Sequence, residues 1–313
     1  MNRRHLLALL AASAIPARAA SSSAPIDRMP AFWSVYDKSR AASIDQRVAT
    51  LIEKFFVPEE AVLRRAGINL PKPPQLAQWL TGFDPMAEAV RTVHARLVTD
   101  YRVNLDRFIN TFRDFDAGVS PVYLVPSLFR FDAHLEPDGQ SLPLFFSPDG
   151  IVKHHGADAD LAVLMAHEIF HCYQCQRNPS LSLDPAPPLY VGVWIEGTAT
   201  YASEQLNPAA SLKHVLLDDA ALLRDGPPAA SRIAGELLER IDSTTDADTA
   251  AFLGSGYRGD WPARAGYYLG LLAARRIGRE LSLSDMASLP AASVRERLIA
   301  ALTDIRRNGP ASP

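Results

Sequence analysis

The sequence predicts a mainly helical α+β fold in which a small β-sheet packs beside one buried helix. Three observations carry this. Apolar residues recur at helical spacing through most of the chain, as at Val90, Val93, Leu97, Tyr101, Leu105, Phe108 and Phe112. Between residues 119 and 147 the period changes, and three short apolar runs bounded by Pro, Gly and Ser read as strands. Directly after them, residues 158–176 (DADLAVLMAHEIFHCYQCQ) contain no Pro or Gly and are apolar nearly all round, the pattern of a buried helix.

With 313 residues and 48% hydrophobic composition, the chain can bury a sizeable core. A net charge of −3 with no long like-charge run gives no sign of a nucleic-acid surface, and no nucleic-acid partner is expected. Residues 1–20 read as an export signal. Arg3 and Arg4 form a basic start, residues 6–15 form an apolar run too short to span a bilayer, and Ala17-Arg18-Ala19 is a small-x-small cleavage site. The paired arginines before His5-Leu6-Leu7 resemble a twin-arginine signal, with Asn2 a departure that leaves the general export route open. The mature protein is therefore expected to be periplasmic or secreted. No later stretch reaches 18 apolar residues, so no membrane span is expected after signal removal. The expected division is a helical region over 21–118 and a catalytic region over 119–313, with one continuous domain over 21–313 as the alternative.

Taken in order, Phe32, Trp33 and Tyr36 anchor a loop over 24–37. Residues 43–57 form an amphipathic helix with Ile44, Val48, Leu51, Ile52 and Phe55 on one face, and 59–66 a short second one. Residues 67–74 are a loop. Asp84 caps the long helix toward residue 115, with Pro85 at its first position and His94 as a satisfied or surface residue. Strands follow at 119–126, 128–135 and 142–147; the last is the candidate edge, to which an extended substrate would add. Residues 148–150 are a turn, and His154-His155 lies in a solvated loop. Residues 177–191 are a Pro-rich loop and 193–205 a helix. Two or three helices fill 209–253, and another covers 263–278 with Gly266, Gly270 and Ala274 on one face. Helices at 284–289 and 291–302 complete the chain. Its two cysteines, Cys172 and Cys175, read equally as buried thiols or a local disulfide.

The chemistry concentrates in residues 167–171, H-E-x-x-H. On a helix, His167 and His171 lie one turn apart on one face and can grip one ion. Glu168 projects beside them, placed to take a proton from a metal-bound water. So short a motif also arises by chance. The context favours a metal, because a buried helix with two His and a Glu left unpartnered would be costly. Glu196 sits among Trp194, Ile195, Ala199 and Tyr201, where a buried carboxylate wants a cation. It is the expected third ligand, an ordinary surface glutamate being the alternative. Two His, one Glu and an open position make a catalytic zinc site for one Zn2+. Tyr267 or Tyr268 is placed to stabilise an oxyanion, core packing being the competing role. Arg264 is placed to bind a substrate carboxylate.

The sequence resembles the gluzincin clan of zinc metallopeptidases, and more closely a bacterial family of predicted zinc-dependent proteases. The resemblance rests on HEIFH, on Trp194-Ile195-Glu196-Gly197-Thr198-Ala199-Thr200-Tyr201, and on Arg264-Ala265-Gly266-Tyr267-Tyr268-Leu269-Gly270, and covers roughly residues 150–305. It implies a zincin-like fold, His167, His171 and Glu196 as ligands, and Glu168 as general base. Many gluzincins place Asp four residues after the third ligand to hold a ligand His; here Thr200 takes that position, a weaker acceptor. The expected activity is hydrolysis of amide bonds in a peptide or protein substrate. The alternatives are a non-catalytic periplasmic binding or folding factor, a closed structural metal site, and a hydrolase of a non-protein amide such as a cell-wall cross-link.

Overall fold

The computed structural model describes residues 24–184 and 186–310; the export signal expected at residues 1–20 lies outside them. The fold is mainly helical with one small mixed sheet of four strands. β1 (Ile26–Asp27) leads into α1 (Met29–Ser39), which carries Phe32, Trp33 and Tyr36 into the core. Ser43 starts α2 (Ile44–Leu51) with a capping box to Gln46, and the helix runs on through a π turn at Ile52–Phe56. α3 (Glu60–Arg65) follows.

The expected loop at 67–74 ends in a helix instead. Pro73 and Pro74 open α4 (Pro73–Phe83), since a proline at a helix start forfeits no hydrogen bond. Leu76, Trp79, Leu80 and Phe83 give it one buried face. Asp84 does not cap the long helix α5 (Ala87–Thr111), which is entered through a 3-10 turn at Asp84–Met86. Its carboxylate instead accepts two 2.7 Å bonds from Arg47 and one of 2.8 Å from the Tyr36 hydroxyl. His94 is satisfied by Asp27 at 2.8 Å.

The other strands are β2 (Val122–Leu124), β3 (Ala133–Leu135) and β4 (Leu144–Phe146), and the sheet order is β1-β2-β4-β3. β4 is therefore interior, not the edge: it pairs in parallel with β2 and antiparallel with β3. Leu144, Phe145 and Phe146 are each fully buried, as a strand covered on both faces requires. The edges are β1 and β3, the latter partly exposed along its length.

Residues 148–150 are likewise not a turn but the start of α6 (Pro148–His155), capped by Ser147. Asp149 in its first turn is fully buried and accepts from four donors. These are the backbone N–H of Ser127 (2.9 Å) and of Phe129 (2.9 Å), the Ser147 hydroxyl (2.6 Å) and the Trp79 indole (3.3 Å). They pin a turn in which Leu128 and Phe129 both hold positive φ, 59° and 62°, and so aim the chain into β3. The Cβ that Gly150 lacks would stand 1.7 Å from the Phe131 carbonyl oxygen, which presses α6 against that same turn.

α7 (Leu161–Arg177) and the short α8 (Pro179–Ser182) precede α9 (Leu189–Leu206). α10 (Leu212–Val215), α11 (Ala220–Glu239), α12 (Asp246–Leu253), α13 (Ala265–Ile277), α14 (Leu283–Ala287) and α15 (Ala291–Asn308) complete the chain. Buried side chains form two clusters. One joins α1, α5, the sheet and α7; the other joins α11, α13 and α15. α9 belongs to both, with Ala199 and Ala202 in the first and Val193 and Trp194 in the second. It crosses α13 at Gly197 and Gly270, where a Cβ on Gly197 would lie 2.4 Å from the Gly270 backbone. Among the described residues no helix is long and apolar enough to cross a membrane.

Candidate metal centre

α7 starts at Asp160, whose carboxylate accepts from the N–H groups of Ala162 and Val163 at 3.1 and 3.2 Å. One turn apart on this helix, His167 and His171 bring their Nε2 atoms to 3.1 Å. α9 supplies Glu196, whose Oε2 lies 3.3 Å from His167 Nε2 and 3.5 Å from His171 Nε2. Among the described residues this is the one group of three His, Cys, Asp or Glu donors close enough to share an ion. The spacing fits one. A tetrahedral ion with bonds of about 2.0–2.1 Å holds its ligand atoms about 3.3–3.4 Å apart.

Gln174, one turn beyond His171, sets the tautomer that binding needs. Its amide nitrogen donates to the Ile195 carbonyl at 3.0 Å and to the Thr198 hydroxyl at 2.7 Å. Its Oε1 therefore faces His171 Nδ1 at 2.9 Å, and that nitrogen donates. In the neutral tautomer this leaves the Nε2 lone pair of His171 directed toward His167 and Glu196, as a metal ligand would require. Thr200 does not take the expected role toward an imidazole. Its hydroxyl donates back to the Glu196 carbonyl at 2.7 Å, the usual choice for a threonine inside a helix. His167 Nδ1 has no hydrogen-bond partner among the described residues.

Charge is strongly coupled here. Burial pushes the Glu168 carboxyl up to about 8, and Asp132 and Glu196 add to the push. Burial alone would raise Glu196 too, but the two imidazoles hold it well below the usual range. Burial lowers His167. His171 goes the other way, to about 9, because Glu196 outweighs burial.

These groups line a cavity of about 740 Å³, within the size range of small-ligand sites. Glu168 faces into it from α7 and β3 borders it. Tyr267, in the first turn of α13, sets its ring parallel to that of His167, with 10° between planes and 6.3 Å between centroids. Its hydroxyl faces Glu196, and burial raises it well above its usual pKa. Tyr268 points away. It is 5% exposed in the second core, against Gly226. Neighbouring helical residues point about 100° apart, so only one of the two tyrosines can face the cavity. Arg264 lies on the cavity wall with its guanidinium 4.2 Å from the Tyr267 ring centre.

Sequence reasoning missed three residues. Gln174 was legible as the i+3 neighbour of His171 on one helix face. Asp132 and His155 form a close pair in the cavity wall, and His155 Nδ1 also donates to the Leu217 carbonyl at 2.8 Å. His155 thus ends α6 with its side chain only 4% exposed, not in a solvated loop. Twenty-two residues separate Asp132 from His155, and no local pattern marks the pairing. Cys172 and Cys175 are both free and buried, and Cys175 borders the cavity. Compared with known proteins, the chain matches no family model, no curated protein and no solved structure.

Proposed function

We propose that His167, His171 and Glu196 hold one zinc ion, and that the protein is an exported zinc-dependent peptidase of the gluzincin type with a zincin-like fold. The observation that carries this reading is the triangle of 3.1, 3.3 and 3.5 Å among three donor atoms, with Glu168 beside it on the wall of an open cavity. Two imidazoles and one carboxylate are a donor set that suits catalytic zinc. When bound, such an ion polarises a scissile carbonyl and lowers the pKa of water to about 7.

The remaining work falls to the chain. Glu168 accepts the proton of the attacking water and later delivers it to the leaving amine. Its position suits this role, since it follows His167 on α7 and faces the same cavity as the three donor atoms. Tyr267 donates a hydrogen bond to the oxygen on which negative charge develops. The edge of β3 offers backbone groups to an extended peptide. Elemental analysis should find about one zinc per chain, and adding zinc to stripped protein should raise its Tm. Glu168→Gln should keep the zinc and lose turnover of a mixed peptide library. A stripped protein that takes up no zinc, or a Glu168→Gln variant with full activity, would refute the reading.

A further inference from the structure

We infer that Arg264 is the seat of a substrate carboxylate lying within about three residues of the bond that is cut. Arg264 and its neighbours Arg275 and Arg276 make the contrast. Arg275 pairs with Glu204 and Arg276 with Asp304, but the Arg264 guanidinium forms no ion pair or hydrogen bond among the described residues. The nearby carboxylates are engaged elsewhere: Asp132 with His155, Glu196 with the two imidazoles, and Asp219 with the N–H of Leu222 at 2.9 Å. Meanwhile the guanidinium lies over the Tyr267 ring, 4.2 Å from its centre, and Arg264 lines the cavity.

The backbone points the same way. Arg264 holds φ 60° and ψ 23°, a left-handed conformation that a branched-free but bulky side chain rarely adopts. Such strain persists where the surroundings impose it, and it gathers at ligand sites. It lets the chain place Arg264 on the cavity wall and start α13 at the next residue.

The ligand class follows from charge and shape. A planar guanidinium matches a carboxylate with two parallel bonds. One cation beside Asp132, Glu196 and Asp219 suits a single negative charge better than a doubly charged phosphate. Distance sets the register. The guanidinium is 4.2 Å from the Tyr267 ring, and that ring is 6.3 Å from the His167 ring. Laid end to end, those two legs span at most about three extended residues, at about 3.3–3.6 Å each. The carboxylate is either the C-terminus of the peptide or an acidic side chain. The first makes the enzyme a trimmer of C-terminal residues, and the second makes it selective for acidic sequences.

The position relative to the cut bond rests on the peptidase reading; the carboxylate subsite does not. The test is therefore an equilibrium one, on zinc-loaded full-length Glu168→Gln. Calorimetry compares acetyl-dialanine as the free acid with its C-terminal amide, and with amides carrying Asp at either residue. The free acid, or one Asp-containing amide, should bind tenfold or more tightly than the neutral amide, and whichever does so names the source. Adding Arg264→Gln should abolish the preference, and Arg264→Lys should retain part of it, having the charge without the fork. Equal binding of all four ligands, no binding at millimolar concentration, or a preference that survives Arg264→Gln would overturn the inference. If Arg264→Gln fails to fold, the four-ligand comparison with Arg264 intact still decides. Preference without cleavage by the wild type removes the peptidase reading alone; cleavage without preference removes the subsite alone.

Discussion

Gln174 holds His171 by the ring nitrogen that faces away from His167 and Glu196, at 2.9 Å, and anchors itself to α9 through the Ile195 carbonyl next to Glu196. One amide thus orients one imidazole of the donor group and ties it to the helix that carries the carboxylate.

Gln174→Leu should weaken zinc binding about 10- to 100-fold, the usual effect of losing a partner that orients a ligand. Competition against a chelator of known affinity measures this. Unchanged affinity would mean that packing alone orients His171.

Tyr267→Phe should lower kcat by about 10²-fold, with KM and zinc content little changed, as expected for the loss of one donor to a developing oxyanion. Tyr268→Phe is the control. Its side chain lies in the second core, so kcat should not move. Equal effects of the two changes would remove the special role of Tyr267.

The Asp132–His155 pair predicts how stripped protein responds to pH. Burial works to raise Asp132, but the hydrogen bond and charge of His155 outweigh it and hold the carboxyl at about 2, against an ordinary 3.8. Its folded value is depressed, so its contribution is present above pH 3.8 and is lost as pH falls toward 2. His155 has the opposite sign. Burial works to lower it, Asp132 raises it above 6.5, and its contribution is lost as pH climbs through the raised value. The pair therefore contributes most between those limits, by about 2 kcal/mol on the acid side. Urea unfolding at pH values below, within and above the window should show a hump that Asp132→Asn flattens. Parallel curves for the two proteins would contradict this.

Asp149→Asn should cost about 2 kcal/mol or more of stability, because an amide NH2 would replace an oxygen that accepts from buried donors. The urea midpoint should fall with its slope unchanged. A shift of only a few tenths of a kcal/mol would show that the turn at Leu128 and Phe129 holds without the carboxylate.

Much of the arrangement was readable from local pattern. H-E-x-x-H specifies a helix with two imidazoles on one face, and the buried setting of Glu196 points to the same cluster, which the structure brings together. Regions failed where one residue type carries two meanings. Pro73 and Pro74 punctuate a loop in sequence, yet open a helix in space. The apolar run 142–147 reads alike for an edge and an interior strand, and burial on both faces decides between them. Tyr267 and Tyr268 are equivalent by type, and only the rotation of α13 separates them. Asp132 and His155 meet through tertiary packing, which leaves no trace in spacing.

The contact of Gly197 with Gly270 bears on how the cleft is held. Glu196 precedes the first glycine, and Tyr267 lies one turn before the second. With bare backbone touching backbone there, the carboxylate and the phenol ride on a single stiff block. The spacing between the carboxylate and the phenol is thereby set by one helix crossing, at which neither glycine can gain a side chain without forcing the two helices apart.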